Sequence, residues 1–172
     1  SLTFRARQVM ARYQMKNGGL TVRLLICAGG TGGGVYPALA VLEALKANNR
    51  TPDLLWVGGE GGMEEELVKR EGIAFRSVPA AGVHGVGLRA LPGNLAKLTR
   101  GVVESRRILR DFKPDVLFFT GGFVAAPMAV AGRNIPTVLY VPDIEPGLAL
   151  KFLSNFSDVV TVTAPSSKKY FS

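Results

Sequence analysis

Cysteine is almost absent from this chain of 172 residues, and the single Cys27 rules out an internal disulfide. That usage suits a reducing, cytoplasmic compartment. Histidine occurs once, at His84. No zinc-ligand spacing is present and nothing points to a metal site. No apolar run approaches the length of a membrane span. The first residues have neither the apolar core nor the cleavage site of a signal peptide. Acid is scarce as well: 13 Asp and Glu stand against 21 Lys and Arg, a net charge of +8. Half of that excess lies in residues 1–20, a basic extension with Arg5, Arg7, Arg12 and Lys16 and no acid. Such charge suits nucleic acid, anionic lipid or a phosphorylated ligand. Without an RNP-type aromatic segment or a helix-turn-helix, nucleic acid is not expected as a partner. What the chain does have is apolar content, 47%, enough for one domain with a true core.

It also has glycine in one place. Cys27-Ala28-Gly29-Gly30-Thr31-Gly32-Gly33-Gly34-Val35-Tyr36-Pro37 follows an apolar run, Val22 to Ala28, and precedes a helical pattern. Five glycines and a threonine thus fill a strand-to-helix turn. A bare backbone there lets a ligand come close and points N–H groups at an anion. A plain sharp turn is the alternative. Pro37 suits a first helical turn, where its missing N–H costs little. The dinucleotide fingerprint fails, since counting from Gly30 and Gly32 puts Val35 where the third glycine belongs. A P-loop fails too, because Val35 stands in place of lysine. A different phosphate or diphosphate ligand remains.

Strand and helix patterns alternate along the chain. Strands are expected at Val22–Ala28, Asp53–Val57, Ala74–Val78, Val116–Phe119, Thr137–Val141 and Asp158–Val162. Helices are expected at Pro37–Ala47, Gly62–Glu71, Asn94–Phe112, Phe123–Ala131 and Pro146–Asn155. Glu64, Glu65 and Glu66 fall in a favourable first turn, and Gly93 or Asn94 near a cap. Residues 80–92 read as a glycine-rich loop. Short apolar strands separated by helices imply a doubly wound, Rossmann-like parallel sheet. Ligands of such sheets gather beyond the C-terminal ends of strands. Three features fall there: the first glycine turn, Thr120-Gly121-Gly122-Phe123, and Pro142-Asp143-Ile144-Glu145-Pro146-Gly147.

These segments resemble the MurG-type glycosyltransferases of family 28. Gly29 to Val41 looks like their first glycine loop, and Gly62-Met-Glu-Glu-Glu-Leu-Val68 with Gly72-Ile73 like their next helix. Lys113-Pro-Asp-Val116 with Thr120 to Pro127 resembles the second glycine turn. Ile135 to Leu139, Pro146-Gly-Leu148 and Ser167 to Phe171 match in order. The resemblance implies the N-terminal, acceptor-side half of a GT-B enzyme. After the basic extension (1–20), it implies a Rossmann-like domain (21–163) and the start of an interdomain linker (164–172). It implies no cofactor. The donor would be a UDP-sugar, UDP-N-acetylglucosamine in the family, bound mainly by a C-terminal domain outside this chain. Gly29, Gly30, Thr31, Gly32, Gly33, Gly34, Thr120, Gly121, Gly122, Phe123 and Glu145 become candidates for acceptor and diphosphate binding. The chain departs from the family at Gly34, where histidine is usual, and at Phe123, where tyrosine is. Tyr140-Val141-Pro142-Asp143 replaces His-Glu-Gln-Asn, and Gly62 replaces a basic residue.

Inverting sugar transfer needs a base for the acceptor hydroxyl. Asp143 is the candidate, and His84, on a glycine-rich loop, the second. Helix capping ahead of Pro146 is the alternative for Asp143 and Glu145, and a surface loop histidine for His84. Leu88, Arg89, Leu91, Lys97, Arg100, Arg106 and Arg107 form an apolar and basic set suited to an anionic membrane surface. An ordinary amphipathic helix is the alternative there. The function implied is the acceptor-binding domain of an inverting, UDP-sugar-dependent transferase acting on a lipid-linked or hydrophobic acceptor. The enzyme would be peripheral on the inner face of the cytoplasmic membrane, with this chain alone inactive. A non-catalytic diphosphate- or lipid-binding module is the competing class.

Overall fold

A computed structural model describes residues 21–29, 32–79 and 91–171. Six strands make one parallel sheet in the order β3-β2-β1-β4-β5-β6. They are β1 (Arg23–Ala28), β2 (Asp53–Gly59), β3 (Ala74–Val78), β4 (Val116–Gly121), β5 (Thr137–Val141) and β6 (Val159–Val162). The helices between them are α1 (Gly32–Ala47), α2 (Glu64–Arg70), α3 (Leu91–Phe112), α4 (Ala125–Ala131) and α5 (Leu148–Ser154). A 3-10 helix, Pro165–Tyr170, follows β6. The Rossmann-like expectation is met.

Strand side chains alternate between faces, and the sheet has a core on each side. Ile26 and Ala28 of β1, Trp56 of β2 and Phe118 of β4 pack with Val35, Ala38 and Leu42 of α1 and Val68 of α2. Leu25 and Cys27, Val57, Leu117 and Phe119 face the other way, onto Ile108 and Leu109 of α3, Met128 of α4 and Leu153 of α5. Both faces are covered, which is why the central strands β1, β2 and β4 are apolar through their buried stretches.

All five helix starts differ from the sequence reading: α2, α4 and α5 each begin two residues late, at Glu64, Ala125 and Leu148, and α1 and α3 begin early. α1 begins at Gly32, so Pro37 lies inside the helix and not in its first turn. α3 begins at Leu91, which places Gly93 and Asn94 within the helix and not at its cap. The register between β1 and β4 also shifts: Cys27 pairs with Phe119 but Ala28 with Gly121. Thr120 is the extra residue, a bulge at the end of the strand.

Candidate functional site

β1 and β4 are neighbours, yet the chain leaves them in opposite directions, β1 toward β2 and β4 toward β5. Their C-terminal ends therefore open a crevice at the topological switch point. Gly32, Gly33 and Gly34 are not loop residues; they are the first three residues of α1. Their N–H groups have no acceptor within the helix. Thr120 Oγ1 donates to the Gly34 carbonyl at 2.7 Å, which ties the bulge of β4 to the first turn of α1. The Thr120 side chain is buried by this contact. A Cβ at residue 34 would lie 3.2 Å from that hydroxyl oxygen.

The second glycine turn touches the first. Gly121 and Gly122 have φ of 115° and 87°, a conformation that side chains resist. A Cβ on Gly122 would also run into the Gly29 carbonyl. Around them the strand-end groups are satisfied. Trp56 Nε1 donates to the Ala28 carbonyl at 2.9 Å. The Cys27 thiol faces the Val124 carbonyl at 3.6 Å. Burial pushes that thiol well above its ordinary range, and the Glu64 carboxylate adds to the same direction. Cys27 is a packing residue, as its place in an apolar strand implies. Phe123 is half-buried beside the turn.

Asp143 and Glu145 are exposed on the loop between β5 and α5. The capping alternative does not hold: Gly147 is the N-cap of α5, with no side-chain hydrogen bond. The loop is pinned from behind instead. Ser167 Oγ, in the 3-10 helix, donates to the carbonyls of Asp143 at 3.3 Å and Ile144 at 2.9 Å. Of the altered positions, Val141 is fully buried in the core, and the Tyr140 hydroxyl accepts from Thr163 Oγ1 at 3.2 Å.

Gly30, Thr31, His84, Leu88 and Arg89 lie outside the described residues, as does the side chain of Leu91. Lys97, Arg100, Arg106 and Arg107 are exposed on α3, and Arg107 pairs with Glu104 at 3.1 Å. No helix among the described residues is long and apolar enough to cross a membrane. No cluster of His, Cys, Asp and Glu suited to a metal occurs among them.

One residue of the crevice escapes the sequence reading. Glu64 lies in the first turn of α2, as expected, but it is fully buried. Its Oε1 accepts the Gly59 N–H at 2.9 Å. A Cβ on Gly29 or Gly62 would overlap its carboxylate, and one on Gly58 would lie 2.9 Å from Oε1. The available signal was its spacing: Glu64 and Val68 share one helical face, and Val68 is core.

The profile of the glycosyltransferase family 28 N-terminal domain matches residues 24–162. The chain belongs to this family. A family relative from Natranaerobius thermophilus is 40% identical over 151 residues, which is 87% of this chain and 41% of the relative. It is named UDP-N-acetylglucosamine--N-acetylmuramyl-(pentapeptide) pyrophosphoryl-undecaprenol N-acetylglucosamine transferase. A protein of the same name from Halalkalibacterium halodurans is 35% identical over 152 residues, 87% of this chain and 42% of its own length. The crystal structure of Acinetobacter baumannii MurG superposes with a TM-score of 0.72 at 28% identity, covering 84% of this chain and 42% of that one. The chain thus spans about two fifths of the relatives it matches.

Proposed function

We propose that this chain is the acceptor-side half of an inverting, UDP-sugar-dependent transferase. The enzyme adds N-acetylglucosamine to a lipid-linked diphosphate acceptor at the inner face of the cytoplasmic membrane. The observation that carries this is the contact of two glycine turns at the switch point, beneath the first turn of α1. First-turn N–H groups, which have no intrahelical acceptor, favour an anion at the start of a sixteen-residue helix. Glycines on both walls leave the backbone open to it. The acceptor diphosphate lies across Gly29–Gly34 and Gly121–Gly122. Asp143 takes the proton of the attacking hydroxyl, and Glu145 and Phe123 line the acceptor. The UDP-sugar is held mainly by a C-terminal domain, the chain's principal partner. The names of the relatives support the donor and the diphosphate lipid. The changes at Gly34, Phe123, Tyr140 and Val141 favour a lipid-linked or hydrophobic acceptor other than the muramyl one.

The binding-module reading draws on one observation. Gly34 and Val141 offer no titratable group where histidine and an acid are usual in the family. A donor and acceptor screen of the full-length protein separates the two. Transfer is expected, with Asp143→Asn lowering kcat by about a hundredfold or more and Glu145→Gln by less. Diphosphate binding without transfer from any UDP-sugar would favour the module.

A further inference from the structure

We infer that Glu64 is the positioning residue of the crevice, its buried carboxylate setting the place of the Gly29 turn and, through Gly29, of the Gly122 turn. The inference rests on the reading of these turns as a diphosphate site only in its binding arm. The argument begins with cost. A buried carboxylate is unfavourable unless bonded, so a side chain kept there for volume alone would be apolar. Glu64 is fully buried and takes the Gly59 N–H. That bond holds the turn between β2 and α2. It does not account for Gly29, the residue that follows β1. The Gly29 Cα lies against the carboxylate so closely that no Cβ fits between them. The Gly29 carbonyl lies with equal closeness against Gly122. Carboxylate, Gly29 and Gly122 thus form one stack, from the β2–α2 turn across β1 to the end of β4. Gly62 clears the space the carboxylate fills, and Gly58 clears room for the Phe75 ring as well as for the carboxylate. Movement of the carboxylate shifts Gly29, and Gly29 has Gly122 behind it.

The test compares wild type with Glu64→Gln, which keeps the volume and one acceptor oxygen, and with Glu64→Asp, which keeps the charge and withdraws it. Hydrogen exchange read by mass spectrometry needs no ligand. In Glu64→Gln, amides of residues 28–34 and 120–124 should exchange faster together, by about tenfold or more. Those of β5 should not change. Faster exchange confined to residues 58–64 would overturn the inference, because Glu64 would then serve only its own turn. The second arm is calorimetric titration with inorganic diphosphate. Affinity should fall by about tenfold in Glu64→Gln at a melting temperature close to wild type. Unchanged affinity in a folded variant would also overturn it. If wild type does not bind diphosphate, the site reading fails and the exchange arm alone decides on Glu64. If Glu64→Gln does not fold, Glu64→Asp takes its place in both arms, with the same outcomes counted for and against.

Discussion

Cys27 shows how burial turns a residue into a pH-dependent contribution. In the folded chain the thiol stays protonated, because burial and then the Glu64 charge hold it above its ordinary value of 9.0. In the unfolded chain it ionises near that value. Unfolding at high pH therefore releases a proton, and stability falls as pH rises past about 9. The contribution is fully present below that pH. Between pH 8 and pH 10 the loss from this group should be about 1–2 kcal/mol. Urea unfolding of wild type and Cys27→Ala across that range isolates it, since other titrating groups are common to both. A wild-type minus variant difference that does not change with pH would show that the thiol is not held neutral. The burial of Cys27 was legible, since an apolar strand surrounds it. That of Glu64 was not. Three consecutive glutamates at a helix start read only as a favourable first turn, and the first of them is buried by the end of β2 and by Gly29, which is far away in sequence.

At the scale of elements, strands were legible and helix starts were not. Two strands, β3 and β5, have the expected bounds. β5 is nearly all apolar, and β3, Ala-Phe-Arg-Ser-Val, is an edge strand. The start of α1 was hidden because each glycine disfavours helix by about 1 kcal/mol relative to alanine, so three in a row read as loop. The Thr120 hydroxyl, contributed by β4, holds that first turn. α3 presents the opposite case. Its buried stripe of Gly101, Ser105, Ile108 and Leu109 packs inward, while Arg100, Val103, Arg106 and Arg107 face out at helical spacing. Val103 is 48% exposed among these arginines. The Arg107–Glu104 pair is too exposed to quench the face. If α3 docks on lipid, changing Arg106 and Arg107 to Glu should weaken binding to anionic vesicles by about tenfold or more. Changing Lys168 and Lys169 to Glu should do less. The basic residues 1–20 are common to both variants, so the comparison reads α3. Equal losses in the two variants would reduce the face to general charge.

At the scale of the whole molecule, alternation of strand and helix was enough to imply a doubly wound sheet. The contact between the glycine turns was not legible, because it depends on β1 and β4 lying side by side. The chain has a core on each face of its sheet, yet it spans about two fifths of its relatives. A cooperative thermal melt is expected from it, with no sugar transfer from any UDP-sugar. Turnover by this chain alone, measured as released UDP with an acceptor present, would contradict a donor site in another domain.

The strand order has a kinetic consequence. Leu24 of β1 pairs with Leu54 on one side and with Val116 on the other. The first pairing closes one β-α-β loop; the second must wait for β2, α2, β3 and α3. Long closures slow folding, since chain entropy is lost before contact energy is gained. By sequence separation the sheet divides into two wings, β3-β2-β1 and β4-β5-β6, whose joining seam is expected to close late. The crevice is built on that seam and exists only once the two wings have met. An anion that binds across it favours the joined state and slows its opening.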